Sequence, residues 1–387
     1  MTRHAVVAAC LALLPASAAA QQTPADIISF LVTNQSVQTG DFRKDQTAAA
    51  ATRDTIVRAL QVSLATVPIA TSSSGFVYRL DTELGTATRV SDSFGTFFVE
   101  RAMTTGQGRV SFGASGTTIG YDRLDGFNLR DGTLLTTANR FRDETLPFDT
   151  EALTLKIRTS TLTMFGSYGV TSRVEIGGAL PFVQMKIDGS RLNVYRGQSF
   201  VQASGTASTS GIADLAVRGK VRLAGSGPAG LAAAAELRLP TGDEAQLLGA
   251  GKSTLRLMAI GSLERGAAGV HGNFAVVRGG VANAIEAGGA VTLAATPQVT
   301  IAGELLVRYL PDVKQVMAVS APHPFISGVL TQRLSPGTSA VSQSSAVTGV
   351  KWNAGGRVVI SGEVLWRLNS AGLTARFTPT ISVDYLF

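Results

Sequence analysis

Apolar and charged side chains alternate along the stretch LAVRGKVRL, residues 215–223. Val217 and Val221 fall on one face of an extended chain, and Arg218 and Lys220 fall on the other. Successive side chains of a β-strand point to opposite faces, so this period-two pattern predicts a strand with one apolar and one polar surface.

The same alternation returns along most of the chain and predicts about twelve strands, with about fourteen as an alternative count. The predicted strands cover residues 109–122, 150–167, 173–186, 212–223, 230–240, 253–263, 269–278, 284–295, 298–310, 341–352, 357–367 and 373–387. Short turns alternate with longer connections, of which the longest are 123–149, 187–211, 241–252 and 311–340. This arrangement is typical of an all-β, up-and-down antiparallel transmembrane β-barrel.

Composition favours the barrel over a secreted soluble β-sandwich, which would also alternate its faces. Charged residues make up 16% of the chain, against roughly 25% in soluble domains. The apolar face is rich in Gly and Ala, which suits contact with lipid better than packing against a second sheet. After the first segment no apolar run approaches the length of a membrane-spanning helix. We therefore expect 106–387 to form a bacterial outer-membrane barrel.

Residues 1–20 resemble a secretory signal peptide. Arg3 precedes an apolar run, and small residues with Ala18 and Ala20 at the cleavage-type positions end it. Cys10, the single cysteine, lies within that run. Lipidation of Cys10 is the alternative, but the apolar run continues past it.

The remaining composition excludes several functional classes. The chain has 34 Lys and Arg against 27 Asp and Glu, yet the basic residues are spread singly, which argues against nucleic-acid binding. One Cys and three His leave little for metal or cofactor chemistry. We expect neither cofactor nor resident metal.

The C-terminal stripe Ile381, Val383, Tyr385 and Phe387 resembles the terminal assembly signal of bacterial outer-membrane barrels, so outer-membrane lipid and the assembly machinery are expected partners. The segments 167–173, 239–243 and 249–251 resemble a family of outer-membrane transporters associated with the phenol-degradation meta pathway. This resemblance covers about residues 150–387. It implies a barrel that passes small, often aromatic compounds, and it supplies no catalytic residues.

Residues 21–105 have a different, partly helical pattern. Thr23, Pro24 and Asp26 predict a helix start, and a second helix is expected after Asp45. A hairpin is expected over 76–90. This segment would plug the lumen, cover the periplasmic mouth or bind a partner; a loosely ordered leader is the alternative.

Other candidate chemistry is weak. The run 249–254 resembles a phosphate loop but has Gln246 where the first Gly is required. His271 and Asn273 share a strand face, as in barrel lipases, without an assignable third member. Acidic residues at 143–151 suit either a divalent cation or a solvated loop.

The polar face of the strands should line the lumen and carry any function. Lys156 and Arg158 fall in this inward set, with Arg218 expected to pair with Glu236 across a hairpin. The principal lumen-facing candidates are Arg218, Lys220, Arg222, Glu236, Arg238, Arg256, Glu304, Arg308 and Glu363. We expect a passive channel or uptake barrel for small solutes and no enzymatic activity. The alternatives are a non-conducting structural or adhesion barrel and, more distantly, an outer-membrane lipid hydrolase.

Overall fold

The computed structural model describes residues 23–33, 54–62, 78–81, 86–89, 91–225, 229–323 and 325–387. The predicted signal peptide and Cys10 lie outside these residues. Within them, no helix is long and apolar enough to cross a membrane.

The described elements are two helices and nineteen strands. Their bounds are α1 (Pro24–Thr33), α2 (54–62), β1 (Tyr78–Asp81), β2 (Thr86–Arg89), β3 (Val110–Tyr121), β4 (Arg123–Leu124), β5 (Phe127–Asn128), β6 (Leu134–Phe141), β7 (Asp149–Gly169), β8 (Val174–Tyr195), β9 (Gln198–Ile212), β10 (Leu215–Ala224), β11 (Ala229–Leu239), β12 (Thr254–Arg265), β13 (Ala268–Gly279), β14 (Ala284–Thr296), β15 (Val299–Pro322), β16 (Val329–Gly355), β17 (Val358–Arg367), β18 (Leu373–Thr374) and β19 (Phe377–Leu386).

Twelve of the described strands close into an antiparallel ring. They are β3, β7, β8, β10 to β17 and β19, each paired with its two neighbours. The first and last strands of the ring, β3 and β19, pair directly, with Ser111 opposite Leu386. Closure leaves no unpaired sheet edge around the ring, which a sheet in lipid requires. The predicted barrel of about twelve strands is confirmed.

The two ends of the ring differ. At one end, called the short-turn end, the connections 170–173, 266–267, 297–298 and 356–357 join consecutive strands, and Phe387 lies beside Val110. At the other, the long-hairpin end, β7, β8, β15 and β16 extend well beyond the ring. There β9 pairs with β8, and β6 bridges β7 and β16.

Three of the four long connections expected from the sequence were therefore wrongly interpreted as loops. β8 and β9 occupy most of 187–211, β15 and β16 occupy most of 311–340, and β6 lies within 123–149. The β9 sequence QSFVQASGTASTSGI is rich in Ser, Thr and Gly. Since these extensions lie beyond the apolar part of the ring, neither face needs a continuous apolar pattern, and the period-two signal is lost.

The N-terminal helices pack inside the long-hairpin end. α1 begins with a reciprocal cap, in which Asp26 N–H donates to the Thr23 hydroxyl at 3.1 Å and Thr23 N–H donates to the Asp26 carboxylate at 3.0 Å. Ile27 and Leu31 of α1 and Leu60 of α2 are buried in the largest apolar cluster. The predicted helix start is confirmed, and β1 and β2 form the expected hairpin.

Residues 91–105, here called the strap, cross the lumen near the short-turn end as an irregular segment. Phe94 packs on Val359 and Leu386 at one wall. Ala102 packs against β11, β12 and β13 in a separate cluster. The strap then leads into β3.

Candidate functional site

A cavity of about 270 Å³ lies on the barrel axis between the strap and the loop 240–253. Phe98, Val99 and Glu100 of the strap line it on one side. Leu247 and Leu248, at the tip of the loop, line it on the other, and both are buried. The loop 240–253 is called the lid loop below.

The lid loop is held inward by Asp214. The Asp214 carboxylate accepts the N–H groups of Gly242 at 3.1 Å and Ala250 at 2.9 Å. Leu247 adopts a left-handed backbone with φ of 58°. These bonds place two apolar side chains over the cavity rather than in solvent. The sequence interpretation did not predict that this loop covers the cavity. The signal that could have shown it is the apolar pair Leu247-Leu248 within an otherwise polar loop.

Charged side chains form one half of the cavity wall. Among the described lining residues, five arginines, here called the arginine arc, are Arg218, Arg238, Arg256, Arg308 and Arg367. Glu236 lies opposite Arg218 and Arg256 in the strand register. Glu286 lies opposite Arg308. Alternating charges on adjacent strands stabilise one another across the sheet.

The carboxylates of the wall bind the arc at short range. Arg238 Nε lies 2.9 Å from Glu236 Oε1. Glu286 joins two arginines, with Arg256 Nε at 2.8 Å and Arg308 Nε at 3.2 Å. Arg367 donates to the Ser345 hydroxyl at 3.1 Å. The arginine arc thus contains five guanidinium groups, whereas only two carboxylates of the described wall, Glu236 and Glu286, bind it in these ion pairs.

The opposite half of the wall is uncharged and bears hydroxyls. Its lining residues from β3, β7 and β19 include Ser115, Thr117, Thr159, Thr161, Thr163, Thr378 and Thr380. Ile119 and Met185 continue this side toward the lid loop. The cavity therefore has a cationic side and a side of hydroxyl and apolar groups.

Side chains of the wall satisfy the backbone of the strap. The Glu304 carboxylate accepts the N–H groups of Phe97, Phe98 and Val99, with Oε2 to Phe98 N at 2.9 Å. The Ser262 hydroxyl accepts from Ala102 N–H at 2.9 Å. A buried backbone N–H without a partner is costly, so these polar wall residues allow an irregular chain to lie inside the lumen.

Ion pairs fasten the same segment. Glu100 contacts Arg218, and both side chains are almost fully buried. Arg101 Nη1 lies 3.7 Å from Glu264. Thr105 donates through both its N–H, at 2.6 Å, and its hydroxyl, at 2.8 Å, to Glu175. The strap is thus tied to several strands of the ring.

Exposed apolar side chains form a belt around the outside of the ring. Its members include Leu162, Val217, Leu237, Leu257, Phe274, Leu305, Val307 and Ile381. Exposed aromatic side chains border the belt, with Tyr385 toward the short-turn end of β19 and Phe377 toward its other end. Trp352 and Trp366 lie at the corresponding borders on β16 and β17. Aromatic girdles on both sides of an apolar band mark a barrel in lipid.

The protein is an outer-membrane β-barrel. The expected localisation is confirmed.

Comparison with known proteins finds likeness in structure rather than in sequence. No protein-family model matches the chain, and no curated protein matches it. The COG4313 outer membrane channel from Pseudomonas putida F1 is 13% identical with a TM-score of 0.47, covering 74% of this barrel's chain and 98% of its own. The NanC porin is 7% identical with a TM-score of 0.37, covering 70% and 98%.

A third neighbour is the translocator domain of the autotransporter NalP from Neisseria meningitidis, 9% identical with a TM-score of 0.37, covering 73% of this chain and 89% of its own. By their descriptions, the first is an outer membrane channel, the second a porin and the third an autotransporter translocator domain.

The nine lumen-facing candidates occupy three positions in the barrel. Arg218, Glu236, Arg238, Arg256 and Arg308 line the cavity. Nearer the short-turn end, Lys220 Nζ lies 3.2 Å from Glu175, Arg222 donates to the Ala229 carbonyl, and Glu304 holds the strap. Glu363 is buried on β17.

The predicted cross-strand pair is confirmed, because Arg218 lies opposite Glu236 in register and the two charges attract each other. The strap adds a second carboxylate, Glu100, which contacts the Arg218 guanidinium, and Glu236 also binds Arg238. The inward assignment of Lys156 and Arg158 was wrong. Lys156 and Arg158 are exposed, whereas Leu155 and Ile157 are buried. The inward face of β7 here carries apolar residues because it packs against the N-terminal helices.

The residues considered for catalysis serve the strap. His271 Nδ1 lies 3.0 Å from Ser262 Oγ, which also accepts the Ala102 N–H. His271 does not line the cavity, whereas Asn273 does, and its amide holds the Glu100 backbone. Asp149 and Glu151 are buried, with Asp149 bound by the amides of Asn139 and Asn193. Among the described residues no group of His, Cys, Asp and Glu is arranged to hold a metal ion.

Proposed function

We propose that the protein is a passive outer-membrane channel for small solutes and that the cavity between the strap and the lid loop lies on the path of the solute. The observation that carries this proposal is the cavity itself, on the barrel axis and lined by charged and hydroxyl side chains. About eight strands leave an interior filled by side chains and about sixteen leave an open aqueous pore, so a ring of intermediate size suits a narrow passage.

The wall supports passage of compounds that are polar at one end and apolar at the other. Arg256 and Thr161 represent its polar groups, and Met185 and Leu248 its apolar ones. Small aromatic or hydrophobic solutes, which the family resemblance implies, are the finer proposal. Within this function, the described helices α1 and α2 and the strap narrow the lumen.

Reconstitution tests the channel. Purified barrel in liposomes should permit swelling with small aromatic and aliphatic solutes and should conduct ions in planar bilayers. A barrel that shows heat-modifiable gel mobility, and is therefore folded, but supports neither swelling nor conductance would contradict the proposal.

A non-conducting structural barrel is the second candidate, and the filling of both ends favours it. The strap crosses the short-turn end, and α1 and α2 pack within the long-hairpin end. A variant in which the strap is loosened, such as Glu304→Ala, separates the two candidates. Conductance that rises in this variant supports a channel narrowed by the strap, whereas zero conductance in both proteins supports the structural barrel.

A further inference from the structure

Glu100 places a carboxylate of the strap against the arginine arc. It contacts Arg218, with side chains 1% and 9% exposed respectively. Both residues line the cavity. The arc is therefore already in contact with one carboxylate that does not belong to the barrel wall.

The backbone of Glu100 is held by bonds that do not involve the charge of its side chain. In the orientation that satisfies its neighbours, the Asn273 side-chain amide accepts the Glu100 N–H at 2.6 Å and donates to the Glu100 carbonyl at 3.2 Å. The Ala102 N–H is held separately by Ser262. A neutral residue of the same shape would keep these bonds, and a buried ion pair is by itself weak support for stability.

The wall leaves the arginine arc with excess positive charge. Of the described carboxylates that line the cavity from the wall, Glu236 and Glu286 pair with the arc, and Asp214 is engaged by backbone N–H groups of the lid loop. Five guanidinium groups share these two carboxylates and Glu100. A guanidinium fork matches the planar geometry of a carboxylate, and charges attract more strongly where water is partly excluded.

We propose that the arginine arc is a binding site for a small organic monocarboxylate and that Glu100 occupies its carboxylate position in the absence of solute. The carboxylate of the ligand binds at Arg218 in place of Glu100, and its apolar part lies toward Ile119, Met185 and Leu248. The cavity, at about 270 Å³, falls below the range of about 300–1,000 Å³ typical of sites for drug-sized ligands, so the ligand is small. This inference rests on the proposed channel function, since the solute must reach the lumen.

Calorimetric titration in detergent tests the site, with hexanoate as probe, hexanamide as its neutral counterpart and chloride as a bare anion. Wild-type barrel should bind hexanoate and not hexanamide. Glu100→Gln should bind hexanoate at least fivefold more tightly, because the internal competitor is neutralised. The double variant Glu100→Gln/Arg218→Gln, which leaves no unpaired buried charge at this contact, should bind at least tenfold more weakly than Glu100→Gln. Arg173→Gln, at an exposed turn, is the matched control and should bind as wild type does.

Heat-modifiable mobility first establishes that each variant is folded. Equal hexanoate affinity in wild type and Glu100→Gln would contradict the proposal that Glu100 competes with the ligand for Arg218. Hexanamide binding as tightly as hexanoate would contradict a site specific for carboxylates. Full displacement of hexanoate by equimolar chloride would overturn the organic ligand in favour of an inorganic anion. Bilayer conductance of the same preparations separates the two proposals: a conducting barrel that binds no hexanoate overturns the site alone, and a binding barrel that never conducts overturns the channel.

Discussion

Glu304 and Val99 are 205 positions apart in the sequence, yet the Glu304 carboxylate accepts the Val99 N–H at 3.0 Å. The same carboxylate accepts the N–H groups of the two preceding strap residues. One buried side chain of the wall therefore holds three consecutive backbone groups. A carboxylate can do this because its two oxygens offer several acceptor positions and no competing donor.

Glu304→Ala should release the strap. Losing the partner of a buried N–H costs about 1–3 kcal/mol, and three such groups lose theirs. We expect trypsin to cleave after Arg101, which is fully buried in the wild type, and single-channel conductance to increase. Glu144→Ala, at an exposed position, is the control. If trypsin cleaves Glu304→Ala after Arg101 no faster than it cleaves Glu144→Ala, Glu304 does not hold the strap.

Gly349→Ala should disturb the strap through packing. A Cβ at this position would lie 2.6 Å from the ring of Phe97 and 2.6 Å from the Gly362 carbonyl. Overpacking of this kind costs about 1–3 kcal/mol. We expect faster cleavage within 91–105 and lower thermal stability. Gly289→Ala, where a Cβ meets no atom within 4 Å, should behave as wild type, and equal behaviour of the two variants would contradict the close approach of Phe97.

Val217→Arg should impair assembly. Val217 is 48% exposed in the apolar belt, and an arginine near the bilayer midplane costs about 2–4 kcal/mol. Val201→Arg is the matched control, because Val201 is 69% exposed on β9, beyond the ring. Heat-modifiable mobility and outer-membrane yield measure the folded fraction. Normal yield of Val217→Arg would mean that this face does not contact lipid.

Phe387→Ala should lower assembly into the outer membrane far more than it lowers the folding stability of the barrel. The Phe387 N–H bonds to the Val110 carbonyl at 2.8 Å, a bond that alanine keeps, and the ring is 55% exposed. The ring also packs edge-on against Tyr385, with centroids 4.6 Å apart, a contact worth about 0.5–1.5 kcal/mol. The refolded variant should lose no more stability than this, while its assembly in cells falls severalfold. Phe377→Ala, at the other border of the same strand, should assemble normally. Equal assembly of both variants would exclude a role for the terminal aromatic residue in recognition.

The sequence alone determined the twelve strands of the ring and the sign of many lumen charges. Side chains that face lipid, such as Val217, must be apolar, whereas side chains that face the lumen, such as Arg218, can be polar. The sequence of each strand therefore alternates between apolar and polar residues with a period of two. β9 and the outer parts of β15 and β16 lie beyond the lipid. Their side chains need not alternate between apolar and polar, so the sequence pattern did not predict these parts as strands.

The tertiary structure alone decided which charges meet. Arg218 faces Glu236 in the register that local pairing predicts, but its contact with Glu100 of the strap could not be predicted from that pairing. That contact depends on the path of residues 91–105 through the lumen and on the inward fold of the lid loop. Both paths are set by long-range hydrogen bonds, in which the strap N–H groups donate to Glu304 and the Ala250 N–H donates to Asp214. The alternation of apolar and polar residues indicates which face of each strand contacts lipid and which faces the lumen. It does not indicate which distant segment of the chain fills the lumen.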